Sequence, residues 1–86
     1  MLVDVREPFE WDIVHVDGAR HVPLRDLPAR LRELDGHADV LVYCHHGTRS
    51  RQAVELLRAA GFSKVRSVRG GIDAWAVEVD PRLARY

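Results

Sequence analysis

The sequence predicts an α/β domain built on a mostly parallel sheet, and three observations carry that expectation. Short apolar runs of strand character alternate with helical patterns from one end of the chain to the other. The strongest run, Val40 to Tyr43, passes through a Gly-containing loop straight into an amphipathic helical pattern. All of this fits within 86 residues, with no repeat, linker or low-complexity segment, which makes 1–86 a single domain near the lower size limit for a self-sufficient core. Strands separated by helices imply right-handed crossovers and helices on both faces of the sheet, a three-layer α/β/α arrangement.

Each element has a local reason. Leu2 to Val5 reads as a short buried strand. Glu7-Pro8 opens a brief helix to about Val14, with Pro8 suited to its first position. Asp17-Gly18 is a turn and Ala19 to Val22 a short strand. Leu24, Leu27, Leu31 and Leu34 fall at helical spacing on one face, with Pro28 expected in the first turn and Gly36 as the stop. Ala53, Val54, Leu57 and Ala60 form the apolar face of a helix over 50–60, and Gly61 suits its C′ position. Lys64 to Val68 alternates as a strand, and Ile72 to Ala76 is a last short helix. Trp11 and Trp75 are expected in the core.

Composition narrows the function. Thirteen basic and thirteen acidic residues cancel, so no global field recruits nucleic acid or an anionic membrane. No apolar stretch approaches ~20 residues and no signal-peptide pattern opens the chain. The single cysteine excludes an internal disulfide, and a reduced, cytoplasmic setting is the default expectation.

That cysteine, Cys44, ends the strand Val40–Tyr43 and precedes a helix. The end of a strand facing the start of a helix is where α/β folds bind anions, because unpaired N–H groups and the positive end of the helix dipole converge there. Such a setting favours thiolate over thiol. Arg49 and Arg51 stand near the helix start, where cations oppose the dipole by ~0.3–1 kcal/mol each. Arg49, within the loop, is expected to face a bound anion, and Arg51 to point to solvent.

Cys44-His45-His46-Gly47-Thr48-Arg49-Ser50 resembles the active-site loop of single-domain rhodaneses, the Cys-x-x-Gly-x-Arg-Ser pattern. The resemblance runs nearly end to end: Asp4-Val5-Arg6-Glu7, His15-x-x-Gly18-Ala19-x-x-x-Pro23, Gly61-Phe62, and Gly70-Gly71-x-x-x-Trp75 follow in the family's order. It implies a rhodanese-like sheet with strand order 4-3-1-2. Relative to the family, the chain lacks the usual first strand and helix, which leaves an edge beside the last strand and predicts modest stability or association. The tail from Ala74 to Tyr86 also resembles the rhodanese domain at the C-terminal end of molybdopterin-synthase sulfurylase-type proteins.

The resemblance implies a sulfurtransferase working through a Cys44 persulfide without a cofactor. Its expected donors are thiosulfate or a protein persulfide. Its expected acceptors are cyanide, a thiol or, in a sulfur-relay role, a ubiquitin-like sulfur carrier. Cys44 and Arg49 are the expected catalytic residues; His45, His46, Gly47, Thr48, Ser50 and Arg6 are the expected substrate-binding ones. For Arg6 an ion pair with Asp4 or Glu7 is the structural alternative, and Gly70-Gly71 is expected in the wall of the site. A metal site at Cys44, His45, His46 and His21 is not expected, since adjacent loop histidines cannot easily converge on one ion. His15 and His37 read as surface residues. A cysteine phosphatase, whose loop needs five residues between Cys and Arg, is disfavoured because only four separate Cys44 from Arg49.

Overall fold

The computed structural model describes residues 1–34, 36–80 and 82–83. In order they form β1 (Leu2–Asp4), α1 (Pro8–Ile13), β2 (Arg20–His21), a 3-10 segment (Leu24–Glu33), β3 (Val40–Tyr43), α2 (Thr48–Ala59), β4 (Val65–Ser67) and α3 (Gly71–Glu78). Of the tail singled out above, positions 81 and 84–86 lie outside the described residues. The four strands make one all-parallel sheet in the order β2-β1-β3-β4, which is the expected 4-3-1-2 read from the other edge. Among the described residues β4 pairs only with β3 and so forms an edge, as the resemblance implies. No helix of the described residues is long and apolar enough to cross a membrane.

The period-2 alternation of strands sorts the side chains to two faces. Val3, Val40, Val42 and Cys44 join Ala53, Val54 and Leu57 of α2 and Leu27 and Leu34 in one core. Tyr43 points the other way, into a second core with Val16 and Ile72, against which Leu2, Val14, Val68 and Trp75 pack. Burial on both faces is what a parallel sheet requires. Both tryptophans are half-buried. Trp75 packs against the second core, whereas Trp11 packs against neither core and stacks on the rings of His15 and His21, at centroid distances of 3.7 and 4.8 Å. His15, expected on the surface, is held there by Trp11 and its carbonyl.

Three helical segments differ from the sequence-based reading, among them α3, expected over Ile72 to Ala76 and observed over Gly71–Glu78. The Leu24–Glu33 stretch is 3-10, with non-helical dihedrals at Arg30 (φ −115, ψ 16). Pro28 explains this, since it offers no N–H and its ring would meet the carbonyl of Leu24 in an α-helix. A 3-10 turn keeps Leu24 and Leu27, three residues apart, on one side. Helix α2 begins at Thr48, two residues earlier than the apolar pattern indicates, so Arg49 lies within the helix and not in the loop.

A buried ion pair holds the C-terminal edge of β1. Asp4 and Arg6 are both 0% exposed. The Asp4 carboxylate accepts from the backbone N–H of Arg6 (2.9 Å), from Nε (3.0 and 3.1 Å) and from Nη2 (2.6 Å). The same guanidinium donates to the carbonyls of Glu10 (3.4 Å) and Val14 (2.6 Å) at the end of α1, where the helix presents its negative pole. It also stacks over the Tyr43 ring at 5.5 Å.

Burial pushes the Tyr43 hydroxyl well above the usual tyrosine range, and the Asp4 charge adds to it. The folded chain therefore keeps a proton that the unfolded chain loses near pH ~10. This contribution is whole below that pH and is lost above it at ~1.4 kcal/mol per unit, until the folded state also titrates. Urea midpoints are expected to be flat between about pH 7 and pH 9 and to fall above pH ~10. Tyr43→Phe is expected to remove that fall; an unchanged fall in the variant would assign it to another group.

Candidate active site

Loop 44–47 turns back on its own thiol. Gly47, at φ +123, directs its backbone N–H at the Cys44 Sγ (3.0 Å), and the N–H of Ser50 in the first turn of α2 adds a second donor (3.3 Å). The Ser50 hydroxyl lies 3.6 Å from Sγ, donates to the Gly47 carbonyl (2.9 Å) and meets the Ser67 hydroxyl (2.6 Å). Of the N–H groups expected to cradle the sulfur, Gly47 and Ser50 are the two that reach it. Both are unpaired donors of a helix start, so they meet the thiol at no expense to the backbone ladder. Cys44 is 1% exposed, yet it borders a cavity of about 190 Å³ with His45, His46, Thr48 and Arg49.

The loop carbonyls are turned away from the sulfur by α3. Ile72 N–H donates to the Cys44 carbonyl (2.7 Å) and Asp73 N–H to the His45 carbonyl (3.2 Å). This docking requires the glycine at position 71, whose φ is +62 and where a Cβ would fall well under 3.0 Å from both carbonyl oxygens. Gly70-Gly71 is therefore part of the site, as the support of the loop and, at Gly70, as a wall of the neighbouring cavity.

Arg49 has a partner that the loop sequence alone does not reveal. Its Nη1 and Nη2 donate to the two carboxylate oxygens of Glu10 at 2.5 and 2.9 Å. The Glu10 side chain is 6% exposed, the Arg49 side chain 34%. Glu10 Oε1 also accepts from the Glu7 N–H (3.0 Å), closing the first turn of α1. This bidentate clamp leaves Arg49 bordering the Cys44 cavity. Glu10 was not singled out in the sequence. Its signal was present in the first-turn carboxylate of a helix whose exposed positions carry Phe9 and Ile13, two large apolar residues.

The remaining candidates separate cleanly. His45 and His46 lie ring against ring (4.0 Å) beside the cavity, and Thr48 is exposed at its mouth. Arg6 does not join them. It is fully buried in the pair with Asp4, and the expectation that it lines the rim is corrected accordingly. Its link to the site is indirect, through the end of the helix that carries Glu10. Arg51 is exposed, as expected, and borders a second cavity beyond His46. No group of three metal-ligating side chains converges among the described residues.

The family model of the rhodanese-like domain matches residues 1–78. The chain is 41% identical over 87 residues to the probable adenylyltransferase/sulfurtransferase MoeZ of Mycobacterium tuberculosis, covering 99% of this chain and 22% of that protein. It is 34% identical over 102 residues to the adenylyltransferase and sulfurtransferase MOCS3 of Arabidopsis thaliana, again across 22% of the relative. The chain thus spans less than a quarter of these two proteins. A sulfurtransferase of Allochromatium vinosum is 40% identical over 76 residues, covering 88% of this chain and 71% of that protein. Among solved structures, a rhodanese-related protein from Thermoplasma volcanium superposes with a TM-score of 0.86 at 33% identity, over 99% of this chain and 83% of that one.

Proposed function

The chain belongs to the rhodanese-like domain family, and on that premise we propose that it transfers a sulfane sulfur through a persulfide on Cys44. The observation that carries the reading is the pair of N–H donors, from Gly47 and Ser50, aimed at a buried Sγ that opens onto one small cavity. Two such donors stabilise sulfur anion, and a thiolate is the nucleophile that sulfur transfer needs. The thiolate attacks the outer sulfur of a donor such as thiosulfate. A new S–S bond forms, the donor's S–S bond breaks, and sulfite leaves with the electron pair. An acceptor such as cyanide or a thiol then takes the outer sulfur, and the pair returns to Cys44.

Arg49 borders the space where the anionic donor sits and supplies its positive charge, while the Glu10 clamp fixes the orientation of its guanidinium. His45, His46 and Thr48 shape the walls. Ser50 and Gly47 hold the sulfur, and Arg6 supports the frame below them. A cavity of about 190 Å³ suits a small donor. The similarity to part of MoeZ and MOCS3 favours a second reading of the same persulfide, delivery to a ubiquitin-like sulfur carrier from a protein donor.

Intact-protein mass spectrometry after incubation with thiosulfate is expected to show a gain of one sulfur atom, lost on adding cyanide. Loading from a cysteine desulfurase but not from thiosulfate would shift the reading to the relay role. No adduct from either donor would refute the persulfide mechanism.

A further inference from the structure

A second cavity, of about 290 Å³, adjoins the first, with His46 as a wall common to both. It is bordered by His46, Gly47, Arg51, Ser67, Arg69 and Gly70, and Cys44 is not among its lining residues. It brings two guanidinium groups and an imidazole to one concave site. Arg51 Nε donates to the Gly47 carbonyl at 3.3 Å, and among the described residues neither Arg51 nor Arg69 has a carboxylate within 4.0 Å. Arg20, Arg32, Arg58 and Arg66 likewise have no carboxylate within 4.0 Å among the described residues; what sets Arg51 and Arg69 apart is that both border this one cavity.

We propose that this cavity binds the carboxylate of a small thiol acceptor while its sulfur reaches across His46 to the Cys44 persulfide. The inference rests on the sulfur-transfer reading and names the acceptor class for it. The donor's anionic end does not suit this place. In thiosulfate the sulfonate is one S–S bond, ~2 Å, from the transferred sulfur, so it must share the cavity that holds Sγ. A charge held beyond His46 belongs to a molecule whose reacting sulfur and anionic group are separated by a spacer. In the transfer step the acceptor thiolate bonds to the outer sulfur and the Cys44 Sγ–S bond breaks. The electron pair returns to Sγ, and any persulfide proton leaves with the product, R–S–SH. Arg51 and Arg69 offset the repulsion between an anionic acceptor and a sulfur anion in the site.

The test uses protein loaded with persulfide and verified by mass, then mixed with 3-mercaptopropionate, 2-mercaptoethanol or cysteamine at equal thiolate concentration. The expected order of rates is anionic, neutral, cationic, with about a tenfold spread from two exposed charges. Raised salt and the double variant Arg51→Gln/Arg69→Gln are each expected to narrow that spread. Equal rates for the three thiols, or a spread that survives in the double variant, would overturn the subsite while leaving the persulfide intact. Binding is read without chemistry by titrating Cys44→Ser protein with 3-(methylthio)propionate and following amide NMR shifts. Val68, Arg69 and Gly70 are expected to move, and 2-(methylthio)ethanol is expected to move none of them. Shifts confined to other residues would overturn the subsite even if persulfide never forms, so the two failures are separate.

Discussion

Cys44→Ala is expected to take up no sulfur from any donor and to show no sulfurtransferase turnover, while unfolding close to the parent chain. The first half follows from chemistry. This cysteine is the chain's only thiol, so no neighbour can replace the nucleophile. The second half follows from packing. Cys44 sits at the end of β3, where its side chain adds one sulfur atom to a core dominated by valine and leucine. Removing that atom is expected to cost about 1 kcal/mol, within the ordinary range for a small truncation. Arg49→Ala differs in kind. Cys44 and its two N–H donors remain, so loading is expected to persist but to slow by about a hundredfold, the typical result of losing one preorganised charge partner. Mass-resolved loading rates check both variants. Residual turnover in Cys44→Ala at more than background would sink the persulfide mechanism.

Arg6→Leu is expected to destabilise the fold by about 3–5 kcal/mol, a large part of what a domain of this size has. The loss comes from what the arginine leaves behind. Asp4 keeps a carboxylate at 0% exposure with its guanidinium gone, and the carbonyls of Glu10 and Val14 lose their donor at the end of α1. The double variant Asp4→Leu/Arg6→Leu is expected to regain part of the loss, because the orphaned charge goes with its partner. Urea unfolding followed by circular dichroism checks this. A change below about 1 kcal/mol in Arg6→Leu would mean that water reaches Asp4 and that the pair is not closed. Loosening α1 also frees Glu10, so loading of Cys44 in the folded fraction of Arg6→Leu is expected to slow as Arg49 loses its clamp.

How much was legible in the residues varies by element, for physical reasons. β3 and its helix were plain because a four-residue apolar run and an i, i+3, i+4 pattern are local signals. The start of α2 was misplaced by two residues because Thr48 and Arg49 are polar. What puts them in the helix is the Gly47 turn, and apolar periodicity does not register it. The Leu24–Leu34 stretch was right in its apolar face and wrong in its pitch, because spacings of three and four suit both helix types until Pro28 excludes one. Trp11 went astray since an indole half covered by two imidazoles looks no different in sequence from one in the core.

For the site, the sequence by itself singled out the candidate nucleophile Cys44, the loop that holds it, the glycines that let the loop and α3 approach, and the family. Each depends on residues close together in the chain, where spacing alone restricts the geometry. Only the tertiary structure decided which charges meet. Arg49 pairs with Glu10 across 39 positions, Arg6 turns inward to Asp4 and α1, and Arg51 and Arg69 gather beside His46 without acidic partners among the described residues. Long side chains carry their charge ~6–7 Å from the backbone and can reach any of several neighbours. The order of strands in the sheet, not their order in the chain, selects the neighbour each one finds.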